Sequence, residues 1–178
     1  MLIREAEEKR RILNVGCGSE TYGTDFVDMY PQRPEVKQAD VDGAVLPYES
    51  DTFDEVYSKN LLEHLTNLGA TFKEFHRLLN DGGRMVAITD NASYWVWAVG
   101  KTHHGAYHSS GGADDRHYCL FTPEHLVNLA KKAGFSSVQA ELIIDPKDSL
   151  MIRSFNRLIR FGVTRRFSYK RIRLIAEK

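Results

Sequence analysis

Short apolar runs alternate along the chain with stretches in which apolar residues return every third or fourth position. That alternation predicts strands interleaved with helices, and hence an α/β sheet. Ile12-Leu13-Asn14-Val15 reads as a buried strand that ends at Gly16-Cys17-Gly18. Asp25 to Asp28 is a second strand, closed by the turn signal Tyr30-Pro31, and Val36 to Ala39 is a third, followed by Asp40. Phe53 to Tyr57 and Arg84 to Thr89 are the fourth and fifth strands. Between these two, Asn60 to Asn67 and Ala70 to Leu79 read as helices. Phe72, Phe75, Leu78 and Leu79 fall on one face of the second. Asp81-Gly82-Gly83 then stops it.

Asp90 to Leu120 has no regular period. Thr122-Pro123-Glu124 opens the next helix with an N-cap, a first-turn proline and an acid facing the macrodipole. Gly134 closes it. Val138 to Ile144 and Tyr169 to Ala176 are the last two strands, with an amphipathic helix between them from Leu150 to Phe161. Glu5 to Arg10 reads as a short charged helix. The expected fold is a Rossmann-like three-layer α/β sandwich: a mostly parallel seven-stranded sheet whose last hairpin is antiparallel. Residues 1–178 are expected to form one domain, with 91–118 as a lid or acceptor segment and 148–161 as a basic helix inserted before the last strand.

Composition narrows the class. The chain has 178 residues, 42% of them hydrophobic and 27% charged, which suits a globular core. Two cysteines, Cys17 and Cys119, cannot build a disulfide framework. With no long apolar run and a charged N-terminus, a cytoplasmic protein is expected. The net charge is zero, but residues 1–150 carry 15 basic and 23 acidic residues, whereas 151–178 carry 9 basic and 1 acidic. A basic end like this either pairs with its own acidic body or makes weak contact with a membrane or other anionic surface through 151–173.

A buried strand ending in Gly-x-Gly lets a ligand approach the backbone. An acid that ends the next strand, Asp28, is placed to accept hydrogen bonds from ribose hydroxyls, and Asp40 ends the third strand beside the same crevice. These residues sit within a longer pattern of "LNVGCG", "FVDM", "QADVDGAVLPYESDTFDEVYSKNLLEHL", "FKEFHRLLNDGGRMVAIT" and "FTPEHLVNLAKKAGF". In that order the segments resemble the class I S-adenosylmethionine-dependent methyltransferases of the small-molecule type, over about two thirds of the chain. The resemblance implies S-adenosylmethionine as cofactor. By it, Gly16, Cys17 and Gly18 shape the turn around the methionine half, and Asp28 holds the ribose, with Met29 on the adenine. Asp40 meets the adenine amino group, Val41 offers its backbone, and Ser58 and Asn60 line the floor near the sulfonium. The implied reaction is methyl transfer to a small or medium-sized acceptor, oxygen or nitrogen before carbon. A non-catalytic binding or scaffolding protein on the same fold is the alternative.

The pattern is broken in one place. Nine residues, Ser19 to Val27, separate Gly18 from Asp28, and the strand takes three of them. No full helix fits there, and Glu20 stands where the family has a third glycine. Cofactor binding then leans on loop amides and on Ser19, Thr21 or Tyr22, and the pyrophosphate site of a dinucleotide is absent. Nucleic acid is not expected as acceptor, since Ser58-Lys59-Asn60-Leu61 occupies the turn where adenine methyltransferases carry a double proline. If the acceptor carries a proton, a lid histidine should take it: His117 first, beside Asp114 and Asp115, then His104 and His108. No metal site is expected, because no carboxylate is positioned with the closely spaced His103, His104 and His108.

Overall fold

A computed structural model of the chain describes residues 10–99, 117–145, 150–159 and 166–178. Seven strands form one sheet: β1 (Ile12–Val15), β2 (Asp25–Asp28), β3 (Val36–Gln38), β4 (Phe53–Lys59), β5 (Leu79–Asp90), β6 (Ser137–Ile143) and β7 (Arg171–Glu177). Their order across the sheet is β3-β2-β1-β4-β5-β7-β6. The first five are parallel to one another, and β7 lies antiparallel between β5 and β6. This is a Rossmann-like α/β fold with an antiparallel end, as the sequence pattern predicts.

Register explains where the core sits. Leu13 pairs with Val56, Val56 with Met85 and Met85 with Ala176, so these four side chains lie in one row on one face. Val15, Ser58, Ala87 and Leu174 form the next row. All eight are 1% exposed or less. Helices α1 (Leu68–Leu78) and α3 (Pro123–Ala133) cover this face and pack on one another, contributing Phe72, Phe75, Leu78, Leu126 and Ala130 to the core. The start of α3 is as expected: the Thr122 hydroxyl accepts from the His125 amide, and Gly134 ends the helix with φ +112°. The other two helices are α2 (Trp95–Val99) and α4 (Leu150–Ile159), which meet where Trp95 Nε1 donates to Asn156 Oδ1 at 2.8 Å.

Three expectations need correcting. The helix read from Asn60 to Asn67 is only one 3-10 turn, Leu62–His64. Asn60 is left-handed (φ +54°) and Leu65 is extended, so neither end can propagate. Strand β5 begins at Leu79 instead of Arg84, with a register irregularity opposite Phe53–Glu55. Within the irregular 90–120 stretch, Trp95–Val99 is helical, while residues 100–116, which contain His104 and His108, lie outside the described residues. So does most of the predicted Glu5–Arg10 helix.

No helix joins β1 to β2, as their spacing requires. Tyr22 from the connecting loop packs on the second face of the sheet instead. The Tyr22 ring meets Tyr57 edge-on at 4.6 Å, and its hydroxyl donates to Glu55 Oε1 at 2.6 Å. Glu55 is 1% exposed and also pairs with Arg10 and Arg84. The Arg33 guanidinium donates to the Ser19 and Glu20 carbonyls at 3.2 and 2.9 Å, and Glu20 pairs with Lys59.

The basic end of the chain largely pairs with its own acidic body. Arg166 meets Glu124, Lys170 and Arg171 meet Asp145, Arg171 also meets Asp90, Arg173 meets Glu141, and Lys178 meets Asp51. No helix among the described residues is long and apolar enough to cross a membrane.

Candidate active site

The carboxyl ends of the parallel strands come together in two adjoining groups. In the first, the turn after β1 meets the end of β2. Gly16 has φ +67° and Gly18 φ +49°, a region that favours glycine. A Cβ at Gly16 would fall 2.7 Å from Leu61 Cδ1, whereas one at Gly18 would have nothing within 4 Å. The turn is therefore closed on the Leu61 side and open at Gly18. Asp28 locks it: its Oδ2 accepts from the Gly18 amide and its Oδ1 from the Tyr30 amide, both at 2.8 Å. A carboxylate has about four acceptor positions, so lone pairs remain for a diol.

The Ala39 amide donates to the Asp28 carbonyl at 3.1 Å, which sets β3 and the following Asp40 beside the same crevice. Asp40 is exposed and accepts the Asp42 amide at 2.9 Å. Met29 is half-buried. Val41 and Cys17 are turned into the protein, at 7% and 3% exposure, so only their backbones can face a ligand. Burial foremost, then Asp28, pushes the Cys17 thiol above its ordinary pKa. Ser58 is 1% exposed in the row between Val15 and Ala87. Asn60 Oδ1 accepts from Arg171 Nη1. An open glycine turn, an acid at each of two strand tips and a buried floor suit S-adenosylmethionine.

The second group lies at the ends of β4 and β5. Glu63 in the 3-10 turn is 1% exposed, and its Oε2 accepts from Thr89 Oγ1 at 2.6 Å. Its burial foremost, and then the charge of Asp90, raise its carboxyl pKa. The carbonyl of Glu63 accepts the Tyr118 and Cys119 amides at 2.8 and 3.1 Å, which pins His117 over the turn. The rings of His64 and His117 meet edge-on at 4.7 Å. Asp90 Oδ2 stands 3.7 Å from His117 Nδ1, an ion-pair rather than a hydrogen-bond distance, and Asp90 Oδ1 is 3.2 Å from Arg171 Nη1. His117 thus does sit beside a carboxylate, but the partner is Asp90.

Four residues of this group were absent from the expected site: Glu63, His64, Asp90 and Arg171. Glu63-His64 follows the fourth strand and reads from sequence as a solvated helix face. Asp90 ends the fifth strand, in the same position as Asp28 on the second, and that parallel was the available signal. Arg171 had none, because it arrives from β7. A mainly apolar cleft of about 690 Å³ lies between residues 118–121 and α3, walled by Phe121, His125 and Leu129.

Residues 2–140 match a family model described as a methyltransferase domain. The chain is 26% identical over 186 aligned residues to a malonyl-[acyl-carrier protein] O-methyltransferase of Geobacter sulfurreducens, covering 89% of this chain and 69% of the relative. Its fold is similar to that of a SAM-dependent methyltransferase from Archaeoglobus fulgidus, with TM-score 0.65 and 16% identity over 95% of this chain and 86% of the other. It is also similar to Haemonchus contortus phosphoethanolamine N-methyltransferase 2 in complex with S-adenosyl-L-methionine, with TM-score 0.62 and 16% identity over 95% of this chain and 48% of that one.

Proposed function

The chain belongs to the methyltransferase domain family and is an S-adenosylmethionine-dependent methyltransferase; on that premise we propose that it methylates oxygen or nitrogen on a small or medium-sized acceptor held over the ends of β4 and β5. The observation that carries this reading is the close packing of the open Gly16–Gly18 turn, locked by Asp28, on Leu61, two residues before the acid and imidazole group of Glu63, His64, Asp90 and His117. When bound, S-adenosylmethionine supplies a methyl group on a positively charged sulfur.

The residues of the chain do the rest. Gly16, Cys17 and Gly18 offer backbone to the methionine half, Asp28 the ribose acceptor, Met29 a surface for the adenine, and Asp40 and Val41 the adenine edge. Ser58 and Asn60 form the floor. Positioning accounts for much of the acceleration of an in-line displacement. An acceptor that sheds a proton needs a base, and His117, oriented by Asp90, is the imidazole placed to receive it. His104 and His108, outside the described residues, are its alternatives from the sequence. The whole 1–178 stretch acts as one domain in this reading, in the cytoplasm. Nucleic acid is not its acceptor. Arg153 and Arg157, exposed on α4, make at most weak contact with an anionic surface.

Calorimetric titration with S-adenosylmethionine and S-adenosylhomocysteine should show one saturable site, and NAD should show none. Incubation with methyl-labelled donor and pools of hydroxy, carboxy and amino compounds should place label on oxygen or nitrogen. His117→Ala should lower turnover by roughly 10²-fold or more while leaving product affinity unchanged. Binding of the nucleoside product without label transfer to any pool would favour the scaffolding alternative. Label found only on carbon would overturn the acceptor assignment.

A further inference from the structure

We propose that Glu63, His64 and His117 form a binding site for one divalent transition-metal cation, open on the side of the acceptor. One ligand atom from each residue lies within 4.8 Å of the other two. Nitrogen and oxygen ligands about 2.0–2.2 Å from a common ion stand about 3–3.5 Å apart, so small side-chain rotations bring the three onto one ion. Two imidazoles and a carboxylate suit zinc, manganese, cobalt or iron(II) rather than calcium or magnesium. Three protein ligands leave coordination positions open, the pattern of catalytic rather than structural sites.

The surroundings fit an ion on two further counts. An outer partner orients one ligand, since Thr89 donates to Glu63 Oε2 at 2.6 Å, and the Asp90 carboxylate stands 3.7 Å from His117 Nδ1. The charge is also incomplete. Glu63 and Asp90 are two acids at 1% and 4% exposure. Arg171 pairs with Asp90 Oδ1 at 3.2 Å. One cation on the Glu63 side completes the set.

The inference rests on the acceptor lying over β4 and β5, and it replaces the base role of His117 with that of a ligand. With the ion bound, His117 is a ligand, and the acceptor is a compound whose hydroxyl oxygen takes an open position. Coordination makes that hydroxyl more acidic. Its proton passes to water, the oxygen forms the new bond to the methyl carbon, and the carbon–sulfur electron pair returns to sulfur.

The test uses the full chain stripped with chelator and titrated with Co²⁺ and Mn²⁺. One ion per chain is expected, with a cobalt absorption band typical of four or five ligands. Glu63→Gln and His117→Gln should each weaken binding at least tenfold. A His103, His104 and His108 triple substitution should leave it unchanged. Both single variants should still bind S-adenosylhomocysteine, whose site uses other residues, so failure of the metal site and failure of the methyltransferase reading are told apart. Should a variant not fold, Mn²⁺ broadening of the His64 and His117 imidazole resonances in the unsubstituted protein decides the matter. No saturable binding, binding that follows only the 103–108 histidines, or unbroadened His64 and His117 resonances would overturn the proposal.

Discussion

Asp28 does two jobs at once. It braces the glycine turn through the Gly18 and Tyr30 amides, and it is the acceptor proposed for the ribose. Its replacement therefore removes a contact and loosens the turn that shapes the site. Asp28→Ala should weaken S-adenosylhomocysteine binding by about 1.5–3 kcal/mol, the range for hydrogen bonds to a charged group. Asp28→Asn, which keeps one acceptor oxygen for the amides, should lose less. Calorimetry on both variants checks this; an unchanged dissociation constant in the alanine variant would remove the ribose assignment. Asp28 and Asp40 were picked out in the sequence because one ends its strand and the other lies just past its strand. Glu63 and Asp90 were not, because their burial is decided by what packs over them.

At the scale of elements, joints replace missing helices. The β1–β2 loop is held by Arg33, Glu20 and Tyr22, where the family resemblance would place a helix. Another joint ties the segment after β3 to the start of α1. Asp42 accepts from the Thr66 and Asn67 amides and from the Thr66 hydroxyl, at 2.6 to 3.0 Å. Burial alone would raise its carboxyl pKa, but these bonds outweigh it and hold the group below its ordinary value. A lowered folded pKa means that the stabilisation is complete above the ordinary carboxylate pKa. It is lost as pH falls through the folded value. Asp42→Ala should cost about 1.5–3 kcal/mol at neutral pH, and the gap from the parent should narrow in acid. Denaturant unfolding at neutral pH and near pH 3 measures both; a gap independent of pH would show that Asp42 acts by packing alone.

Across the whole molecule, apolar burial and charge pairing both bind the last strand to the rest, and their magnitudes differ. Leu174 is fully buried in the row with Val15, Ser58 and Ala87. Leu174→Ala should destabilise by about 2–5 kcal/mol through lost transfer energy and a cavity. Arg173, on the same strand, pairs with Glu141, but the two side chains are 44% and 53% exposed. Arg173→Ala should cost under about 1 kcal/mol and less in high salt. Thermal unfolding of both variants at low and high ionic strength settles the ranking. Comparable losses would mean that charge pairing between the basic end and the acidic body is a main source of stability.

Period and spacing are local, so the order of elements, the core face of α1, the Thr122 cap and the missing β1–β2 helix could all be read directly from the residues. Each depends on neighbours within a turn or two of chain. The acid and imidazole group could not be read that way. Its members come from the turn after β4, the end of β5, the segment before α3 and the start of β7, and Asn60 and Arg171 stand 111 residues apart where they meet. Parallel strands bring distant tips to one edge. Which side chain is then buried, and which carboxylate faces which ring, follows from register and from what the intervening chain lays on top; a period carries neither.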